Sequence, residues 1–278
     1  MKTKTPLTPH VGVEIDGISS DDLVSASGAE QCKALLQQYG VVVYRNVDVD
    51  DDQLIEFSGM IGEVVIAPTN EHKRPEIQTI TSHPKQASPM MASIRRGNFL
   101  WHFDGATDVT PQQGTFLAAR EVSGDGQGGT QFASSYVAYE TLPDDDKALI
   151  ADLQVEHSFA AAQARANPDP TPDDLAFWAR VPSRVHPLVW SRRDGRKSML
   201  LGATAGHVVG WSEDESSALL DRLLEWATRP EYVAQHDWRL GDLVTWDNTG
   251  MLHRAMPFEA TTPRLLHRTT LKGVEAVA

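Results

Sequence analysis

The sequence holds a single cysteine, Cys32, so no disulfide can close within one chain and a cysteine-ligated metal cluster is excluded. It has no continuous apolar run of bilayer-spanning length. The opening stretch MKTKTPLTPHVGVEIDG carries two lysines with no apolar block behind them, which does not read as a secretory signal, and a cytoplasmic location is the expectation. Positive charge is scarce. Lys and Arg total 25 against 38 Asp and Glu, a formal net charge of −13. That balance argues against nucleic acid or an anionic membrane as partner, while leaving room for a small anion in an arginine-lined pocket. Internal repeats, low-complexity tracts and an obvious linker are also missing. With 41% apolar and 23% charged residues, the 278-residue chain is expected to fold as one globular domain, residues 1–278. The Gly-rich GDGQGGT at 124–130 lacks the lysine of a phosphate-binding loop.

What is present reads as many short strands with a few helices at the flanks. Helical spacing covers 29–40, 50–62 and 212–229, and shorter helical pieces fall at 135–142 and 145–153. Strand-like runs occupy 41–47, 76–81, 98–104, 114–120, 129–134, 186–190 and 197–202. Three more close the chain at 231–238, 242–248 and 264–273. The expected architecture is mainly β, a sandwich or barrel core carrying peripheral helices. The acid runs at 48–53 and 143–148 read as solvated helix starts. Residues 160–183, with ANPDPTPDD at their centre, read as a surface excursion of the kind that forms binding lids.

The stretch NFLWHFDG, 98–105, places His102 and Asp104 one residue apart in apolar surroundings. On a strand, both side chains point to the same side. A hydrogen-bonded core pair, a catalytic dyad and two metal ligands are all consistent with that placement, because burial of either group requires a partner. His253, in WDNTGMLHRAMPF after the end of a strand, is the candidate third ligand. Two histidines and a carboxylate on one face of iron(II) leave the opposite positions open, as oxygen activation requires. In RLLHRTTLKG, Arg264 and Arg268 share one strand face with Leu266 between them, and His267 and Thr269 lie on the other. Two inward guanidinium groups call for anions, and a carboxylate matches their fork; an internal Asp or Glu would serve as well.

The ordered set GVVVYRNVDVDDDQLIEFSGMIG, LWHFDG, GGTQFASSYVAYETLP, HPLV, GDLVTWDNTGMLHRAMPF and RLLHRTTLKG resembles the taurine dioxygenase and phenoxyacetate-herbicide dioxygenase family of iron(II)/2-oxoglutarate enzymes. The resemblance implies a double-stranded β-helix (jelly roll) with iron at its mouth, held by His102, Asp104 and His253. It implies that Arg264, eleven residues after His253, and Thr130 hold the distal carboxylate of 2-oxoglutarate. Arg268, fifteen residues after His253, is implied to reach an anionic group near the iron, on the substrate or on 2-oxoglutarate. Iron(II), 2-oxoglutarate and dioxygen are the implied cofactors, and the implied reaction couples decarboxylation of 2-oxoglutarate to succinate with substrate hydroxylation. Related halogenases lack the carboxylate ligand, so Asp104 points to hydroxylation.

For the substrate, the resemblance points to a small anionic organic acid, aryloxyalkanoate-like. Ala67 stands where taurine enzymes carry a histidine. Thr204 and His207 stand where phenoxyacetate enzymes carry a histidine pair, leaving His207 to bond substrate or serve the scaffold. Asn98 and Phe99 are expected to shape the cavity, with Ile66, Leu100 and Met251 adding apolar lining. Trp101 reads as cavity wall or core, and Phe103 as packing away from the metal. Arg95 and Arg96 read as a loop over the pocket, at least one of them in solvent. Phe177 and Trp178 read as a hydrophobic lid or a subunit contact in a homo-oligomer. His186 reads as structural, and Asp247 and Asn248 as the turn that aims His253. Oxidation or desaturation of an amino-acid-derived carboxylate remains an alternative, as do a non-catalytic jelly roll that binds a metal or small acid and a zinc hydrolase using the same three ligands.

Overall fold

A computed structural model describes residues 3–66, 72–81, 93–259 and 262–278. In chain order the strands are β1 (Thr3–Pro6), β2 (Val13–Asp16), β3 (Val41–Tyr44), β4 (Gln78–Ile80), β5 (Gly114–Glu121), β6 (Thr130–Ser134), β7 (Gln154–His157), β8 (Arg184–Pro187), β9 (Val189–Ser191), β10 (Lys197–Met199), β11 (Ala205–Val208), β12 (Val233–His236), β13 (Leu243–Asp247), β14 (Met251–Ala255) and β15 (Leu265–Leu271). A seven-stranded sheet runs β1-β2-β3-β13-β5-β15-β4, and a three-stranded sheet runs β12-β6-β14. The strand pairings are antiparallel except β2 with β3.

The core lies between these two sheets and on the outer face of the larger one. Strand alternation divides the side chains between the two places. Val41 and Val43 of β3, Leu117 and Ala119 of β5, Val244 and Trp246 of β13, and Leu266 of β15 meet Phe132, Ala234 and Met251 of the smaller sheet. Their neighbours Val42, Tyr44, Phe116, Ala118, Leu243 and Leu271 face the opposite way, against two helices. That double burial is why residues 41–44 read as an unbroken apolar run rather than an alternating one.

The helices on that outer face are α2 (Ala26–Tyr39) and α3 (Asp51–Ile61), which follow the short α1 (Ser20–Leu23). Helix α2 stops at Gly40, whose φ of 72° is the left-handed cap that a glycine adopts without strain. Helix α3 starts with a reciprocal capping box between Asp50 and Gln53, and Asp51 and Asp52 complement its N-terminus. The acid run at 48–53 is therefore a helix start, as expected.

A third cluster packs β7, β9 and β10 against α4 (Ser135–Glu140), α5 (Asp144–Ile150) and, beyond α6 (Phe159–Ala166) and α7 (Pro172–Trp178), α8 (Glu213–Ala227). The 160–183 segment is thus largely helical rather than a loop: Thr171 and Asp174 form a capping box and Pro172 occupies the first turn, so its prolines delimit helices. Trp178 is buried, and Phe177 meets Phe159, just ahead of the segment, edge to face. None of the helices among the described residues is long and apolar enough to cross a membrane.

One local expectation needs correcting. Residues 98–104 are not a strand: Arg96–Phe99 forms a 3-10 turn, and only His102 pairs with a neighbour, His253. His253 follows β13, which ends at Asp247, and itself sits in the middle of β14, paired to Phe132 of β6.

Candidate active site

His253 is fixed by a ladder on both edges of β14. Its other side takes His102 through two backbone bonds, His102 N to His253 O at 3.1 Å and His253 N to His102 O at 3.0 Å. Gly202 makes room for this pairing, since a Cβ there would collide with Trp101 O and stand 3.0 Å from His102 Cα. Two residues on, Asp104 turns back to the same side, and Gly105 at φ 72° starts the turn. The alternation expected of a strand therefore holds where the strand itself does not.

The three side chains converge. His253 Nε2 is 3.6 Å from Asp104 Oδ2, His102 Nε2 is 3.9 Å from Asp104 Oδ1, and the two imidazole centroids are 4.2 Å apart. One ligand atom from each lies within 4.8 Å of the others. Asp104 Oδ2 accepts hydrogen bonds from Thr115 Oγ1 at 3.0 Å and Arg268 Nη2 at 2.9 Å, which leaves Oδ1 for a metal. Burial alone would raise the Asp104 pKa, but Arg268, the two histidines and Thr115 together hold it well below the usual carboxylate range. Burial, reinforced by His102, pushes His253 well below the usual imidazole value despite Asp104 beside it. An ionised carboxylate and a neutral imidazole are the protonation states a divalent cation requires. The donor set fits iron(II).

These groups open onto a cleft with about 620 Å³ of empty space, open solvent included, with Phe99, Leu117, Trp246 and Phe258 among its apolar walls. Arg264 is buried in it, with Nε donating to Gly128 O at 2.9 Å and the guanidinium 4.9 Å from the Phe258 ring. Among the described residues it pairs with no carboxylate, and burial lowers its pKa to about 10. Gly128 has φ 74°, and a Cβ there would stand 2.8 Å from Arg264 Cδ, so the glycine-rich loop serves as the seat of this arginine. Thr130 also lines the cleft, and its Oγ1 accepts from Trp238 Nε1 at 3.0 Å, leaving the hydroxyl proton free to donate elsewhere.

The chain matches the family described as taurine catabolism dioxygenase TauD, TfdA over residues 3–270. It belongs to that family. It is 30% identical over 272 residues to the alpha-ketoglutarate-dependent 2,4-dichlorophenoxyacetate dioxygenase of Burkholderia sp. (strain RASC), covering 94% of this chain and 91% of that one. It is 29% identical to the alpha-ketoglutarate-dependent sulfate ester dioxygenase of Pseudomonas putida, over 96% of this chain and 88% of the other. The solved structure of AAD-2 in complex with Mn(II) and N-oxalylglycine superposes with a TM-score of 0.83 at 28% identity, covering 100% of both chains. The chain is accordingly an oxidoreductase of the 2-oxoglutarate-dependent dioxygenases, a class that uses iron(II), 2-oxoglutarate and dioxygen.

The structure brings together His102, Asp104, His253, Thr130, Arg264, Arg268, Asn98 and Phe99 at one cleft. It does not bring His207 there. That side chain lies on β11, 3.4 Å from Ser216 Oγ at the start of α8, and is not among the residues lining the cleft. Of the apolar residues expected at the mouth, only Phe99 lines it. Ile66 is exposed, Met251 is buried between the sheets, and Leu100 faces a separate hollow with Trp101. Trp101 and Phe103 belong to the core, and Arg254 stacks 4.6 Å over the Trp101 ring. Arg95 is buried and donates to Thr79 O and Thr81 O, whereas Arg96 is exposed. His186 is buried with Nε2 on Asp108 O at 2.9 Å, a scaffold position. Ala67 lies outside the described residues.

A second trio of one carboxylate and two imidazoles, Asp51, His72 and His267, sits on the far side of β15. Arg120 Nη2 already donates to Asp51 Oδ1 at 2.9 Å, and Arg74 N to His72 Nδ1 at 3.1 Å. Here His267 Nδ1 already lies 2.7 Å from Asp51 Oδ1, so the trio is closed by a direct hydrogen bond that ties α3 to the sheet. Both carboxylates carry a guanidinium, Arg120 on Asp51 and Arg268 on Asp104; what separates the trios is that the imidazoles beside Asp104 stay 3.6 and 3.9 Å away, outside hydrogen-bond reach. Sequence reasoning also missed Trp238 and Thr115, which bond Thr130 and Asp104 from 108 and 11 residues away.

Proposed function

We propose that His102, Asp104 and His253 hold iron(II), and that this protein couples decarboxylation of 2-oxoglutarate to succinate with hydroxylation of a small organic acid. The convergence of these three side chains beside an unpaired buried arginine carries the reading. Bound iron supplies the activation of dioxygen. The chain's own residues do the rest. Arg264 receives the distal carboxylate of 2-oxoglutarate as a charge-assisted pair, and Thr130 adds a hydroxyl donor held in place by Trp238. Arg268 spends Nε on Thr270 and Nη2 on Asp104 and Gln112, leaving Nη1 to receive the substrate's anionic group. That placement sets the substrate anion beside the carboxylate ligand and its apolar body against Phe99 and Phe258. An aryloxyalkanoate-like acid suits both halves, and hydroxylation next to an ether oxygen would end in ether cleavage. Apolar walls limit water around the reacting carbon. We read residues 1–278 as one dioxygenase domain and the facing sheets as a jelly roll, acting in the cytoplasm.

The test is an anaerobic visible spectrum of protein loaded with iron(II), before and after 2-oxoglutarate. A weak charge-transfer band is expected in wild type, absent in His102→Ala and requiring more oxo acid in Arg264→Ala. Candidate acids that perturb the band are then assayed aerobically for succinate release. Folded, iron-loaded protein that shows no band would remove the co-substrate reading.

A further inference from the structure

We infer that Asn248 is a positioning residue that fixes the Asp104 ligand by standing in for a missing strand neighbour. The inference rests on the assignment of His102, Asp104 and His253 as metal ligands. Backbone pairing beside β14 ends at His102, and the chain turns away at Gly105, so the amide and carbonyl of Asp104 have no ladder partner. The side chain of Asn248 supplies both halves of one. Its Oδ1 accepts from Asp104 N at 3.0 Å, and its Nδ2 donates to Asp104 O at 2.6 Å. The same Nδ2 donates to Gln112 O at 3.1 Å, and Asn248 N donates to Gln113 O at 3.0 Å. Asn248 is fully buried, so water cannot substitute for these bonds without entering the core.

Only a primary amide offers a donor and an acceptor in one plane at this length, which is the pairing a peptide group needs. Aspartate would lose the donor, and leucine would lose both. The residue was expected to shape the turn that aims His253, and it does lie in the β13–β14 connection. Its side chain, however, reaches the other ligand. One residue therefore ties together the connection leading to His253, the backbone of Asp104 and the 104–113 loop that returns to β5, where Thr115 holds the Asp104 carboxylate. Removing it frees the Asp104 peptide while leaving all three ligands in the chain.

The test is cobalt(II) titration of folded apoprotein, read from the visible d–d bands, with Asn248→Ala and Asn248→Ser. Outer-shell partners of metal ligands typically contribute 10- to 100-fold in affinity. Cobalt binding is expected to weaken by about that factor in both variants, with altered band positions. Thr249→Val is the control. Its hydroxyl bonds Tyr136, Asp247 and Arg192, away from Asp104, so it loses stability but keeps cobalt affinity within about threefold. Serine retains a hydroxyl in the vacated space and serves if the alanine variant does not fold. Wild-type affinity and bands in a folded Asn248 variant would overturn the inference. A wild-type cobalt spectrum unchanged by His102→Ala would instead overturn the ligand assignment beneath it.

Discussion

Arg264→Met separates stability from function with opposite signs. Arg264 is buried, and burial lowers its pKa from 12.5 to about 10. At about 1.4 kcal/mol for each tenfold change in proton affinity, the folded apoprotein carries about 3 kcal/mol of unfavourable charge burial. Because the folded value lies below the unfolded one, this penalty is full at every pH below about 10 and is relieved only as pH rises from there toward 12.5. Methionine keeps much of the stem's packing and removes the charge. The change also forfeits the bond to Gly128 O, worth about 1 kcal/mol. The apoprotein should therefore gain about 1–2 kcal/mol in urea unfolding at pH 7. Affinity for 2-oxoglutarate moves the other way. Loss of a buried guanidinium–carboxylate pair is worth about 2–5 kcal/mol, at least about thirtyfold in Kd. The assays are urea denaturation of metal-free protein and anaerobic calorimetric titration of the iron-loaded form. A variant more than about 1 kcal/mol less stable than wild type, or one binding 2-oxoglutarate within about threefold of it, would refute the argument.

Two other outcomes are expected. Gly202→Ala places a Cβ against Trp101 O at a backbone φ of 101°, so it should lower stability by about 2 kcal/mol or more and weaken cobalt binding by displacing His102. Unchanged urea midpoint and cobalt affinity would show that the 101–102 backbone is not held there. Burial pushes His157, whose Nδ1 meets Thr204 Oγ1, down to about 3, below its unfolded value of 6.5. The unfolded chain then binds the extra proton between those values, and stability falls as pH drops below about 6.5. The contribution reaches about 2 kcal/mol by pH 5, and His157→Gln should flatten that part of the stability–pH curve. A His157→Gln variant with the wild-type slope would assign the acid sensitivity elsewhere.

The shared side of His102 and Asp104 was legible because it depends on local periodicity. His102 and Asp104 face one side whether or not a full strand surrounds them. Arg268 alternates with His267 along β15, and Arg264, one residue ahead of the strand, lines the same cleft as Arg268, as the spacing implies. What surrounds these side chains was not legible. Asn248 reaches Asp104 across 144 positions and Trp238 reaches Thr130 across 108, and neither distance leaves a trace in spacing. Ile66, Leu100 and Met251 look like cavity residues because they are apolar and close in sequence to functional segments. The turn before His102 sends Leu100 to a separate hollow, Met251 shares the inner face of β14 with His253 but lies in the intersheet core, and Ile66 is exposed. The prolines at 168–172 suggested a loop because proline breaks helices, yet one of them opens α7.

The two faces of β15 have a consequence for how this scaffold can diverge. Arg264, just ahead of the strand, and Arg268 line the cleft and Leu266 packs between the sheets, while His267 and Thr269 bond Asp51 and Ser58 of α3. A single-residue insertion or deletion between Arg264 and Arg268 would turn every residue on one side of it to the opposite face, so that the two guanidinium groups could no longer both reach the cleft. No compensating substitution at one position could restore both surfaces. Length variation is therefore barred from this strand, and new substrate ranges must arise from the rim, in the turn bearing Asn98 and Phe99 and the segment bearing Phe258. The cleft-lining arginines and the helix anchor travel as one inherited unit.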